Sequence, residues 1–256
     1  MPVSDLDLLI DAAKAASRIA LHYWRSDQKV VDKPDGAGPV SEGDLAVDTA
    51  LKEQLTQARP GYGWLSEETE DTPARLSQER VFIVDPIDGT RSYVDGQETW
   101  AHSLAVVENG QPTAAVVYLP ARDKLYAAAL GQGATLNGQA ISCGTRRQAD
   151  GASILVPKGN LDPQHWRGGV PAFERHFRPS LAYRLCLIAD GRFDVMLTLR
   201  DAWEWDIAGG ALIAAEAGAQ ITDRLGAPLM FNSARAKTIG VLTSNATLHT
   251  EVLARL

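Results

Sequence analysis

The chain is poor in cysteine: only Cys143 and Cys186 occur in 256 residues, both beside apolar neighbours and in no metal-ligating spacing. That excludes a disulfide scaffold and a thiolate zinc site, and it predicts two reduced thiols in a cytoplasmic protein. The five histidines, at 22, 102, 165, 176 and 249, are scattered and match no zinc motif. A Gly-x-x-x-x-Gly-Lys-Ser/Thr loop is missing, which argues against an ATP-using kinase. Excess positive charge is missing as well. With a formal net charge of -7, neither a nucleic-acid polymer nor an anionic membrane is an expected partner. No apolar run is long enough to span a bilayer, and Asp5, Asp7 and Asp11 interrupt the N-terminal region where a secretory signal would need continuity.

What is present suits an ordinary globular protein. Hydrophobic residues make up 45% and charged residues 22%, enough for one large domain or two modest ones without covalent staples. Ser4 begins a capping pattern, followed by Leu8, Leu9, Ala12, Ala13, Ala16, Ile19, Ala20 and Tyr23 at helical spacing. A second helix is predicted from about Asp44, stopped by Pro60-Gly61. Trp64-Leu65-Ser66 reads as a short strand, and β-rich segments flank Asn109-Gly110 and Asn137-Gly138, both hairpin signals. The first part therefore reads as helices followed by an antiparallel meander. The second alternates strands and helices, with 157–180 read as loop carrying one short helix. A boundary near 145 divides the chain into parts spanning 1–145 and 146–256, an α/β (α+β) organisation.

The most informative segment is Asp85-Pro86-Ile87-Asp88-Gly89-Thr90, directly after the apolar run Val81–Val84. It places two carboxylates at a strand end, where open sheets put ligands, followed by a glycine that lets backbone approach closely and a hydroxyl. Asp85 and Asp88 supply the oxygen ligands that Mg²⁺ prefers, and N–H groups of Gly89 and Thr90 could face an anion. Further carboxylates stand at Asp44, Glu67, Glu68 and Asp206. Singly, Asp44 and Asp206 read as helix caps and Glu67-Glu68 as a solvated loop.

In combination they resemble the inositol monophosphatase superfamily of Mg²⁺-dependent phosphomonoesterases. The matching pieces are Ser41-Glu42-Gly43-Asp44, Leu65-Ser66-Glu67-Glu68-Thr69, Asp85–Thr90 and Trp205-Asp206-Ile207-Ala208-Gly209-Gly210 running on to Glu216-Ala217-Gly218. The resemblance implies a layered αβαβα sandwich with the site between its halves. It also implies two or three Mg²⁺ ions: Glu67, Asp85 and the Ile87 carbonyl around one, Asp85, Asp88 and Asp206 around a second, and Glu68 toward a weaker third. Thr90 would pair with Asp44 to orient and deprotonate an attacking water. Lithium inhibition and a homodimer are further expectations of the resemblance.

The substrate is expected to be a small phosphate ester. Inositol-specific members place an acidic residue where this chain has Thr198 or Leu199, leaving Asp201 or Glu204 as substitutes by another path. Arg91, with Gly89 and Thr90 a substrate-binding candidate, resembles instead the branch that hydrolyses 3′(2′),5′-bisphosphate nucleotides, where a second phosphate needs a counter-charge. Ser180–Leu185 resembles that branch too and adds Arg184 as a phosphate contact. Inositol 1-phosphate and histidinol phosphate are the alternatives. Trp203 and Trp205 are read as packing, and Lys33 as solvated. Two rivals remain: a haloacid-dehalogenase-type phosphatase, disfavoured because two residues separate Asp85 from Asp88, and a non-catalytic phosphate-binding protein, disfavoured by the presence of both Thr90 and Asp44.

Overall fold

The computed structural model describes residues 3–34 and 38–256. Helix α1 (Asp5–Tyr23) starts where the capping pattern predicts, with Ser4 Oγ accepting the Asp7 N–H. Strands β1 (Val30–Asp32) and β2 (Pro39–Ser41) pair antiparallel ahead of α2 (Glu42–Ala58). That helix begins two residues before Asp44. Ser41 and Asp44 form a capping box, so Asp44 occupies the third helical position and its carboxylate turns back toward Ser41.

A seven-stranded sheet follows in chain order: β3 (Gly63–Ser66), β4 (Arg80–Asp88), then, after the short helix α3 (Thr90–Val94), β5 (Ala101–Glu108), β6 (Gln111–Leu119), β7 (Lys124–Ala129), β8 (Ala134–Leu136) and β9 (Gln139–Ile141). Within this sheet only β3 and β4 run parallel, so both end on the same side of it, and β5 to β9 form the expected antiparallel meander. Asn109-Gly110 and Asn137-Gly138 take the positive φ values that two-residue hairpins demand.

The second sheet is mixed. It comprises β10 (Ser153–Leu155), β11 (Glu174–His176), β12 (Val195–Thr198), β14 (Gln220–Thr222) and β16 (Val241–Ser244), in the spatial order 11-10-12-16-14. Beside it β13 (Ala202–Trp203) pairs with β15 (Lys237–Thr238). Strand β11 lies within the stretch read as loop and short helix. Its Glu174, Arg175 and His176 are all exposed at a sheet edge, so no alternation betrays them. Helices α4 (Leu181–Ala189), α5 (Glu204–Glu216) and α6 (Ala246–Leu253) complete the chain.

The layers follow from which side chains share a core. Phe82, Val84, Leu104 and Val106 pack under Leu9, Ala13, Val47 and Leu51 of α1 and α2. The alternate residues Val81, Ile83 and Ala105 meet Leu185 of α4 and Ile207 and Leu212 of α5, which also contact Leu155, Met196 and Val241 of the second sheet. That sheet's other face, Ile154, Val195 and Leu242, covers Leu248 and Val252 of α6. The result is the expected αβαβα sandwich. Gly209 and Gly210 allow the middle layer to close: a Cβ at Gly210 would lie 2.6 Å from Leu185 Cβ, and one at Gly209 2.9 Å from Ser103 Oγ. Among the described residues no helix is long and apolar enough to cross a membrane.

Candidate active site

The site grows from the end of β4. Asp85 pairs with Ser103 and Asp88 with Ala101, so Pro86 and Ile87 together oppose His102 alone. This bulge interrupts the ladder, as bulges beside active sites commonly do, and re-aims the side chains around it. Gly89 then adopts φ +99 and ψ 39, a left-handed turn from strand into α3, which a side chain would resist. Thr90 opens α3 with its Oγ1 3.0 Å from Asp44 Oδ1 and 3.2 Å from the Ile87 carbonyl, two acceptors for one hydrogen.

Glu67 and Glu68 follow β3. Their turn is fastened from α2: Ser66 Oγ and, at 2.6 Å, Thr69 Oγ1 both donate to Asp48, one helical turn beyond Asp44. Lys33 reaches in from the segment after β1, its Nζ 2.8 Å from Glu67 Oε1 and 2.7 Å from Glu68 Oε1. The reading of Lys33 as solvated is thereby corrected. It is the cation that two inward-facing carboxylates draw in, and nothing in its sequence neighbourhood signals a partner 34 residues away.

Asp206 arrives from the far half, at the third position of α5, which begins at Glu204. One carboxylate oxygen each of Glu67, Asp85 and Asp206 lie within 4.8 Å of one another. Asp88 is adjacent, its Oδ2 accepting from Ser180 Oγ at 2.7 Å and the Ala182 N–H at 2.6 Å. Both oxygens of Asp85 are buried and, among the described residues, have no donor. Burial, then the charges of Glu67, Asp88 and Asp206, push Asp85 well above the usual carboxylate range. Burial raises Asp88 to about 6 against the hydrogen bond from Ser180, and Asp44 to about 6 against those from Ser41 and Thr90. Glu68 rises to about 7, through burial and the Glu67 charge, despite Lys33. So dense a set of buried oxygens is costly when bare and well matched to a hard cation, which accepts an all-oxygen donor set.

The other predicted contacts separate. Gly89 and Thr90 line the start of α3, and Arg91 points out from it, exposed. Arg184 is buried on α4, donating through Nε and Nη2 to the Arg178 and Pro179 carbonyls, with its guanidinium 4.4 Å from the Phe177 ring. It fastens α4 to the preceding loop, and its charge also acts on Asp88 and Asp206 of the cage. Glu204 is fully buried and accepts the N–H groups of Asn232 and Ser233, while Asp201 pairs with Arg235 at 2.8 Å. Trp205 is buried, but Trp203 is 39% exposed, stacked on Trp205 at 4.5 Å under Lys237.

A carboxylate cage beside a threonine–aspartate pair, set between the halves of a five-layer sandwich, is the architecture of a phosphoric monoester hydrolase. The sequence profile of the inositol monophosphatase family matches residues 3–256, and the chain belongs to that family. It is 34% identical to an inositol-1-monophosphatase of Rhizobium meliloti, covering 86% of each chain. It is 30% identical to a histidinol-phosphatase of Mycobacterium tuberculosis, over 100% of this chain and 99% of that one. A solved inositol monophosphatase of Thermotoga maritima superposes with a TM-score of 0.83 at 27% identity, covering 97% of this chain and 95% of the other. The chain is accordingly a phosphomonoesterase.

Proposed function

We propose that this phosphomonoesterase works with Mg²⁺, transfers its substrate's phosphoryl group directly to water, and acts on the 3′-phosphate of a 3′(2′),5′-bisphosphate nucleotide. The observation that carries the mechanism is the convergence of Glu67, Asp85 and Asp206 within 4.8 Å, with Asp85 left without a donor among the described residues. Glu67, Asp85 and the Ile87 carbonyl would hold one ion, and Asp85, Asp88 and Asp206 a second, with Glu68 toward a third. When bound, Mg²⁺ lowers the pKa of water and offsets charge on the phosphate and the leaving oxygen.

The chain's own groups do the rest. Thr90 Oγ1 accepts a hydrogen bond from the attacking water while its own proton points to Asp44, so a proton can pass along that pair. Asp44, raised to about 6, is basic enough to receive it and acidic enough to release it. The first N–H groups of α3 have no intrahelical acceptor and can meet phosphate oxygens. Because positioning and charge stabilisation suffice for phosphoryl transfer, no covalent nucleophile is needed.

Several features support the choice of ester. Thr198 and Leu199 offer no carboxylate to a polyol, and Glu204 and Asp201 are engaged elsewhere. Arg91, on α3, and Arg200, whose charge reaches Asp206, are exposed and, among the described residues, without an ion-pair partner, so both are open to a second anionic group. The second reading, inositol 1-phosphate, is favoured by the activity of the Rhizobium relative. A phosphate-release panel with Mg²⁺ separates them: adenosine 3′,5′-bisphosphate, inositol 1-phosphate, histidinol phosphate and fructose 1,6-bisphosphate. Arg91→Gln should raise KM for the bisphosphate nucleotide and leave the inositol ester alone. A strong preference for inositol 1-phosphate would overturn the nucleotide assignment.

A further inference from the structure

We infer that His102 is a positioning residue for metal binding: its imidazole braces the β4 bulge that presents Asp85 and the Ile87 carbonyl. The inference rests on the reading of those two groups as metal ligands. It begins with the hydrogen-bond accounting of the ladder. Pro86 and Ile87 share a single opposite residue, so the buried Pro86 carbonyl loses the strand partner that a regular pair would give it. His102 supplies the replacement, with Nδ1 donating to the Pro86 carbonyl. Since a carbonyl can only accept, the proton must sit on Nδ1. Burial, which lowers the His102 pKa to about 4, leaves the ring neutral with that one proton.

Packing alone is a poor reason for a histidine here. His102 is completely buried, and its ring meets the edge of Trp100 at 5.7 Å in a layer otherwise built of Tyr93, Leu104 and Val106. Among the described residues its Nε2 has no hydrogen-bond partner. An apolar side chain would avoid that desolvation cost, so the ring's use lies at its other nitrogen. Ser103, facing the opposite side of the sheet, donates to the Trp205 carbonyl at 3.1 Å, directly before Asp206. Two successive residues of β5 thus steady two segments that the cage needs, one on each face.

The test compares His102→Asn, whose amide can donate from near the Nδ1 position, with His102→Gln, whose amide reaches instead toward Nε2, and with His102→Leu. Mg²⁺ binding is measured without substrate, by calorimetry and by the Mg²⁺-induced rise in Tm, with Asp85→Asn as the control for the ligand assignment. Loss of an outer support of this kind lowers metal affinity roughly 10- to 100-fold. His102→Leu and His102→Gln should show such a loss, His102→Asn should stay closer to the wild type than either, and KM at saturating Mg²⁺ should hardly move. Should His102→Leu fail to fold, the Asn and Gln pair decides. Equal Mg²⁺ affinity in those two variants would overturn the brace. Wild-type affinity in Asp85→Asn would instead overturn the ligand assignment beneath it.

Discussion

Replacing Asp85 by asparagine should make the metal-free protein more stable and the Mg²⁺-loaded protein less so. Asp85 lies with Glu67 and Asp206 in a cluster whose ligand oxygens are within 4.8 Å, and neither of its own oxygens has a donor among the described residues. At an effective dielectric of about 20, each such like-charge pair costs about 3 kcal/mol. Partial protonation reduces that, so removing one charge relieves about 2–4 kcal/mol. For a chain of this size Tm should then rise by roughly 4–8 °C. The sign follows from linkage. A carboxylate whose folded pKa lies above its unfolded value destabilises the fold progressively as pH climbs from the unfolded value to the folded one. The difference between variant and wild type should therefore be largest at pH 8 and fade below the ordinary value of 3.8, where the Asp85 carboxyl is protonated in the folded and the unfolded chain alike. Scanning fluorimetry in EDTA reads the first half of the prediction. In Mg²⁺ at about 100 times its Kd the wild type should gain about 2.7 kcal/mol, and the variant little. An Asp85→Asn protein that melts earlier than wild type in EDTA at pH 8, or that gains as much from Mg²⁺, would refute the reasoning.

Titration of the metal-free protein should show the same sign across the site. Asp44 and Asp88 are raised from 3.8 to about 6 and Glu68 from 4.5 to about 7, so Tm in EDTA should fall as pH rises from about 4 to 7, and Mg²⁺ should flatten the fall. Thr90→Val keeps the branched shape but removes the hydroxyl that touches Asp44. Initial rates should drop by about 10²–10⁴ while the Mg²⁺-induced rise in Tm is retained. Lys33→Met leaves Glu67 and Glu68 facing each other without their shared cation. Its Tm should fall in EDTA, and the gap should narrow on adding Mg²⁺; equal gaps with and without the ion would show that Lys33 and the metal do not act on the same carboxylates.

What could be seen in the sequence was whatever declares itself locally. The α1 cap, the two Asn-Gly turns and the helix over Leu181–Ala189 each depend on residues within a few positions of one another. The acidic cluster was visible for a different reason: carboxylates at four strand ends and helix starts stand in segments that, taken together, resemble the inositol monophosphatase family. Groups whose meaning depends on distant chain stayed hidden. Lys33 is an unremarkable lysine until the fold carries it to Glu67 and Glu68, and Glu204 looks like a helix-start acid until Asn232 and Ser233 turn their N–H groups onto it. Asp48, one turn from Asp44, gives no sign in the sequence that it holds the turn bearing both glutamates. His102 is the extreme case. Within β5 it stands beside Ser103 ahead of the apolar run Leu104–Val107, and only the register across to Pro86 turns it into a contact. The residues that carry the charge of this site are therefore legible as a set, whereas the residues that aim them are legible only from the pairing of strands and the packing of helices.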